Sequence, residues 1–222
     1  MPTESQPHVV KRTSDITVGE LRYLIDKDNP VIVEVGCNDG DTTRQMLAVM
    51  PNARIVCFEP DPRPLARNMV RGDKRVKLYQ MAISDRRGRF TFHQSGGQIP
   101  NSKAPCKDDW DYSGSLCRPT GHLERDKLVK FPSTIEVQTK TLDSMAPRGL
   151  IDLIFADVQG AEARLILGGQ QTLRRTKFFY CEFYNVEQYE RQPDLKGLLS
   201  FLTDFDLLGT YGDNALLLNR TV

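Results

Sequence analysis

No apolar run in the 222 residues approaches the roughly 20 residues of a membrane-spanning helix, and no signal-peptide pattern opens the chain. There is no Lys/Arg block, and the formal net charge is only +1. A polybasic membrane anchor and a nucleic-acid-binding surface are therefore not expected. Cysteines number five, an odd count without C-x-x-C spacing, which gives little basis for a disulfide framework or a zinc site. Cys37, Cys57 and Cys181 lie in or beside apolar strands and read as small core residues, while Cys106 and Cys117 share a loop. A reducing cytoplasm is the simplest compartment, and no metal site is expected. Tryptophan occurs once, as Trp110.

What is present is the composition of a globular protein, 39% hydrophobic and 27% charged, in a length that suits one α/β domain. Its most informative stretch is VIVEVGCNDGDTT, residues 31–43. A mostly β-branched strand with one acid, Glu34, runs into a turn bounded by Gly36 and Gly40. Asp41 or Thr42 can cap the helix that follows. Strand, glycine turn, helix opens a doubly wound domain, where backbone approaches ligand and the helix start offers free N–H groups. An ordinary βα turn would look the same. The next strand, 54–58, ends in Glu59-Pro60-Asp61-Pro62, which puts Glu59 at its carboxyl end, nineteen residues beyond Gly40. An acid at that distance, at the tip of the second strand, suits the vicinal hydroxyls of a ribose. After a third strand, 76–80, the small residues Ala82-Ile83-Ser84 would let a flat base lie against the backbone.

Residues 1–14 read as a mobile tail, followed by helices over 17–27 and 63–71, the latter with Leu65, Met69 and Val70 inward. A hairpin strand, 89–93, leads into a Pro- and Gly-rich stretch, 93–133, with no clear period. Such a long loop reads as a lid or an insertion, with Asp108, Asp109 and Asp111 as a solvated acidic run. Strands follow at 134–138, 150–156 and 177–183, and a leucine-spaced helix over 195–202 precedes a terminal hairpin, 206–219. Asp157 leaves the 150–156 strand as either a catalytic group or a helix cap, and Glu182 lies near the end of 177–183. Glu162 reads as a partner of a helix dipole.

Five runs carry a resemblance: VEVGCNDGDTT, CFEPDP, AISD, the long VQTKTLDSM…IDLIFADVQGAEARLILGG, and YCEFY. With them the chain resembles the class I S-adenosylmethionine-dependent methyltransferases, and more narrowly the FkbM family, over roughly residues 30–219. The resemblance implies a Rossmann-like α/β fold, a mostly parallel seven-stranded sheet with a C-terminal antiparallel hairpin and helices on both faces, forming a single domain over 15–222. It implies S-adenosyl-L-methionine as cofactor and methyl transfer to a hydroxyl of a sugar, glycolipid or polyketide-type acceptor. By residue, Gly36, Asn38 and Gly40 would wrap the methionine part of the cofactor and Glu34 would meet its ammonium. Glu59 would hold the ribose, and Asp61, Ala82, Ile83 and Ser84 would border the adenine. Asp157 would act as base or orienting group, with Glu182 second and His122 a distant third. Two positions depart from the family pattern: Gln159 stands for the usual Glu, and Phe155 for a common Lys. The first keeps a catalytically dead binding module in play. An NAD-type oxidoreductase would also use Glu59, but the turn is G-x-x-x-G rather than G-x-G-x-x-G.

Overall fold

The computed structural model describes residues 9–97 and 110–222. In chain order the elements are β1 (Val10–Arg12), α1 (Val18–Ile25), β2 (Val31–Val35), α2 (Asp41–Val49), β3 (Arg54–Phe58), α3 (Pro62–Ala66), β4 (Val76–Tyr79), β5 (Ala82–Ile83) and β6 (Gly88–Gly97). They continue with α4 (His122–Arg125), β7 (Val129–Lys140), α5 (Leu142–Met145), β8 (Ile151–Ala156), α6 (Glu162–Leu167), α7 (Gln170–Leu173), β9 (Thr176–Glu182), α8 (Leu195–Ser200), β10 (Phe205–Tyr211) and β11 (Asn214–Asn219).

Eight strands form the main sheet in the order β1-β10-β11-β9-β8-β2-β3-β4. Only β11 runs against the rest, antiparallel to both β10 and β9. Alternate residues of each strand feed two apolar layers. Val33, Val35, Phe58, Ile154 and Phe179 meet α5 to α8 on one face, and Ile32, Ile55, Leu153 and Phe178 meet α1 and α2 on the other. Seven of the strands and the helices on both faces are those expected. The eighth, β1, lies in the stretch read as a tail: it pairs in parallel with β10, and Arg12 is tied to Glu20 and lies over the Tyr211 ring.

Two other expectations change. The helix over 63–71 stops at Ala66, because Asn68 turns its side chain back onto the main chain, accepting from Val70 N at 3.1 Å and donating to the Asn38 carbonyl at 3.2 Å. Met69 is consequently half exposed, not inward. The described parts of the stretch 93–133, residues 93–97 and 110–133, are also far less open than its Pro/Gly content suggests. β6 and β7 extend the hairpin to the pair Gly97↔Val129, forming a small sheet in the order β5-β7-β6. Asp108 and Asp109 lie outside the described residues, but Asp111 is no solvated acid: it is buried and held at 2.6 and 2.7 Å by both terminal nitrogens of Arg67.

Candidate active site

A cleft opens at the carboxyl ends of β2, β3 and β8, where ligands of doubly wound sheets bind. Its first wall is set by backbone. Gly36 sits at φ +86°, where a Cβ would come within 1.8 Å of the Asp157 carbonyl oxygen, so only glycine lets β2 and β8 close together here. Asn38, also left-handed, donates its N–H to Glu59 at 3.0 Å, and Asp61 N donates to the other Glu59 oxygen at 2.8 Å. Burial nevertheless pushes the Glu59 carboxyl up to about 8, against the pull of those two N–H groups. Gly40 caps α2 through its backbone; neither Asp41 nor Thr42 does so, and Asp39 accepts from Asp41 N instead.

Gly36, Asn38, Glu59, Ala82, Ile83 and Asp157 all line the cleft. Six other expected site residues do not, among them Gly40, which sits at the N-cap of α2, and Glu182, described with the second wall. Glu34 is buried on the other side of β2, where the Thr43 hydroxyl and Cys57 thiol donate to it, and burial holds its carboxyl at about 8. The residue needed a partner, and it finds one inside the protein rather than in the cleft. Asp61 is the N-cap of α3 and is shared by Arg63 and Gln94. Ser84 is fully buried and bonded to Asp85. His122 packs edge-on against Phe131 and Tyr189, its proton affinity lowered by burial, away from the cleft.

The second wall is set by side chains. Gln159, in a left-handed turn, donates one amide hydrogen to Asp157 at 2.7 Å and the other to Glu182 at 2.8 Å. Its carbonyl oxygen accepts from the Tyr189 hydroxyl at 2.9 Å, and the Tyr184 hydroxyl donates to Glu182. Both carboxyls are raised: Asp157 by burial, Glu182 by burial and by its acidic neighbours Asp157 and Glu162. Asp157 faces the cleft and Glu182 does not. Nor does Asp157 cap α6, whose N-cap is Ala161 with no side-chain bond; Glu162 of its first turn instead accepts from Val158 N. Phe155 stacks on Tyr180 within the apolar layer shared with α1 and α2, not in the cleft.

The segment after residue 109 roofs both walls. Asp111, Tyr112, Gly114 and Leu116 line the cleft itself, so the insertion borders the one cleft that holds both Glu59 and Asp157. Tyr112 donates to Asp39, Asn38 donates to the Asp111 carbonyl, and Ser115 donates to the Gln159 carbonyl. A seam to the loop after β9 completes the roof: Thr120 N and His122 N donate to the Gln188 carbonyl, and Glu190 N to that of Arg118. Tyr189, which ties roof to floor through Ser113 and Gln159, was not foreseen, because nothing periodic marks its loop. Among the described residues no group of three or more His, Cys, Asp or Glu is arranged to hold a metal.

A mostly parallel sheet in this strand order, with one antiparallel strand near its carboxyl end and a glycine turn after β2, is the class I methyltransferase fold. The Methyltransferase FkbM domain matches residues 34–207. The chain is 43% identical over 208 residues to the 2-O-methyltransferase NoeI of Sinorhizobium fredii, covering 90% of this chain and 83% of that protein. It is 28% identical to methyltransferase sdnD of Sordaria araneosa, over 63% of this chain and 60% of that one. Similar solved structures include a putative O-methyltransferase from Klebsiella pneumoniae, at 14% identity and TM-score 0.47, covering 93% of this chain and 82% of that one. An rRNA methylase from Streptococcus thermophilus matches at 11% and 0.45, over 90% and 94%. The chain belongs to the FkbM methyltransferase family and is an S-adenosylmethionine-dependent O-methyltransferase. The lining suits that cofactor: Glu59 has lone pairs that hydroxyls could meet, and Phe58, Met81, Ile83 and Phe92 make an apolar surface on which a flat base could lie. No helix among the described residues is long and apolar enough to cross a membrane.

Proposed function

We propose that the enzyme methylates a hydroxyl of a sugar unit carried by a small-molecule acceptor in the cytoplasm, with Asp157 as the base. The observation that carries this reading is that Asp157, alone of the two strand-end carboxyls, lines the same cleft as Glu59. Gly36 and Asn38 border the methionine part of the cofactor, Glu59 takes the ribose hydroxyls, and Ala82 and Ile83 flank the adenine. Glu34, Asp61 and Ser84 serve the scaffold, given their partners. When bound, S-adenosylmethionine supplies an activated methyl group on a sulfonium leaving group. The chain's own work is to align the acceptor oxygen and to take its proton at the Asp157 carboxylate. Gln159 holds that carboxylate in place and Glu182 supports Gln159, so Glu182 is a positioning residue in this scheme. The sugar comes from the 2-O-methyltransferase relative; the cytoplasm is supported by four buried free cysteines.

The test is mass spectrometry of methyl transfer from S-adenosylmethionine to a panel of hydroxylated sugars and glycolipids. Asp157→Asn should keep cofactor affinity and lower turnover by about 10²-fold. Because the raised Asp157 must lose its proton to act, kcat/KM of the wild type should climb with pH through that pKa, and the Asn variant should lose the climb. Unchanged turnover in Asp157→Asn would remove the base assignment.

A further inference from the structure

Beside α6, on the flank of the roof, lies a second cleft lined by His93, Leu116, Arg118, Arg164, Glu190 and Arg191. We infer that it is a binding site for a tetrahedral oxyanion, a phosphate or sulfate group, held by Arg118, Arg164 and Arg191. The inference is independent of the sugar and of the base assigned above.

Three observations carry it. The first is charge. The whole chain is only +1, yet this one lining collects three guanidinium groups against a single carboxylate. Glu190 answers Arg191 alone, and only at 3.8 Å. Asp85, outside the lining, stands 3.9 Å from Arg164 and is held more closely by Arg86, at 2.8 Å. Arg118 makes no hydrogen bond or ion pair through its side chain among the described residues. A hollow lined by one sign of charge focuses its field and gathers counter-ions.

The second is chemistry. A guanidinium presents its N–H groups in a planar fork that matches the oxygens of phosphate and sulfate. The three groups come from three segments: the roof, α6 and the loop after β9. A ligand among them is met from more than one segment, which suits the oxygens of a tetrahedral group better than the two of a carboxylate. His93 adds an N–H donor. Burial first, and Arg118 second, lower its proton affinity, so the imidazole is neutral at pH 7 and brings no further charge.

The third is place. Leu116 lines both this cleft and the one that holds Asp157. The main chain fixes the two sides: Glu190 N donates to the Arg118 carbonyl at 2.8 Å, and Arg164 lies on α6, whose N-cap Ala161 lines the catalytic cleft. An oxyanion held by Arg118 and Arg164 therefore clamps the roof to α6 at the edge of the catalytic cleft. Two sources present such a group there: a phosphate or sulfate substituent on the acceptor, or a free ion that steadies the roof.

The experiment titrates the full chain, loaded with S-adenosylhomocysteine, with sodium phosphate, sodium sulfate and sodium acetate in a calorimeter, at an ionic strength held constant with sodium chloride. Phosphate or sulfate should bind at one site, and acetate at least about tenfold more weakly. Arg118→Gln, which removes no hydrogen bond or ion pair within the described residues, should weaken oxyanion binding by about tenfold, the worth of one charge-assisted hydrogen bond, with Arg118→Lys in between. Arg87→Gln removes the same charge from the exposed surface outside the cleft and should leave binding unchanged. Four results overturn the site: no oxyanion binding above the chloride background, equal binding of acetate, binding unaltered in Arg118→Gln, or equal losses in Arg118→Gln and Arg87→Gln. Methyl transfer then separates the sources. A group carried by the acceptor makes a sulfated or phosphorylated sugar preferred over its neutral parent, with free sulfate or phosphate competing and Arg118→Gln abolishing the preference. A free ion alters transfer to the neutral parent without competing. Failure of transfer to every sugar, with oxyanion binding intact, overturns the sugar reading and leaves this site standing.

Discussion

On one wall of the cleft a single carboxylate, Glu59, collects two backbone N–H groups; on the other a single side-chain amide, Gln159, is shared by two carboxylates. The first wall is local. All its parts come from residues 36–61, and its shape follows from one glycine that admits no side chain. The second is assembled from distant pieces: Asp157 and Gln159 from the end of β8, Glu182 and Tyr184 from the end of β9, Tyr189 from a loop, and Ser113 from the insertion. The lesson is that the wall proposed for the cofactor is fixed by backbone conformation, which few sequences can supply, whereas the wall proposed for the acceptor is fixed by side-chain donors. Such a wall can change its details without disturbing the sheet. The Gln at 159 illustrates this: a neutral amide supplies a donor to each of two raised carboxyls, where a third acid would add to their repulsion.

The contrast can be broken most forcefully at Gly36. Gly36→Ala meets both a left-handed backbone and the Asp157 carbonyl, and should cost roughly 3 kcal/mol or more of stability, read by denaturant unfolding. A variant that unfolds like the wild type would show that β2 and β8 can separate, and that backbone does not fix this wall. Next in size is Glu59→Ala, which should weaken S-adenosylmethionine binding by roughly 1–3 kcal/mol in calorimetry, the scale of leaving a buried hydrogen-bonding group without its partner, while leaving the Asp157 side intact. The smallest effect belongs to Tyr189→Phe. Loss of its hydroxyl, which serves both Ser113 and Gln159, should lower stability by about 1 kcal/mol and reduce kcat with cofactor affinity unchanged. Equal losses of cofactor affinity in Glu59→Ala and Tyr189→Phe would mean that the two walls act as one.

The same distinction explains what could be read from the chain before its structure. The strand order and the placing of Gly36, Glu59 and Asp157 at the cleft were legible because hydrophobic period, glycine and strand-end acids are local signals; Asn38 came from the family resemblance, and Gly40, expected beside the cofactor, lies at the start of α2 outside the cleft. Glu34 was misplaced because alternation along a five-residue strand puts neighbours on opposite faces, and its true partners, Thr43 and Cys57, come from other elements. Asp61 and Ser84 were drawn to local bonds that compete with a ligand. The roof was least legible: its Pro/Gly content suggested a loop short of anchors, yet Ser113, Ser115 and Asp111 are buried by polar contacts to residues 38, 67, 159 and 189. Polar anchors leave no hydrophobic pattern to find.

The short strand β1 has a practical consequence for making the protein. Left uncovered, β10 would present a row of unpaired N–H and C=O groups at the rim of the sheet, a template on which another chain can add. Among the described residues, three, Val10–Arg12, fill that place. Trimming the amino end to residue 13, a natural choice for anyone who regards these residues as a tail, would leave the catalytic cleft untouched and still yield material that self-associates through its edge.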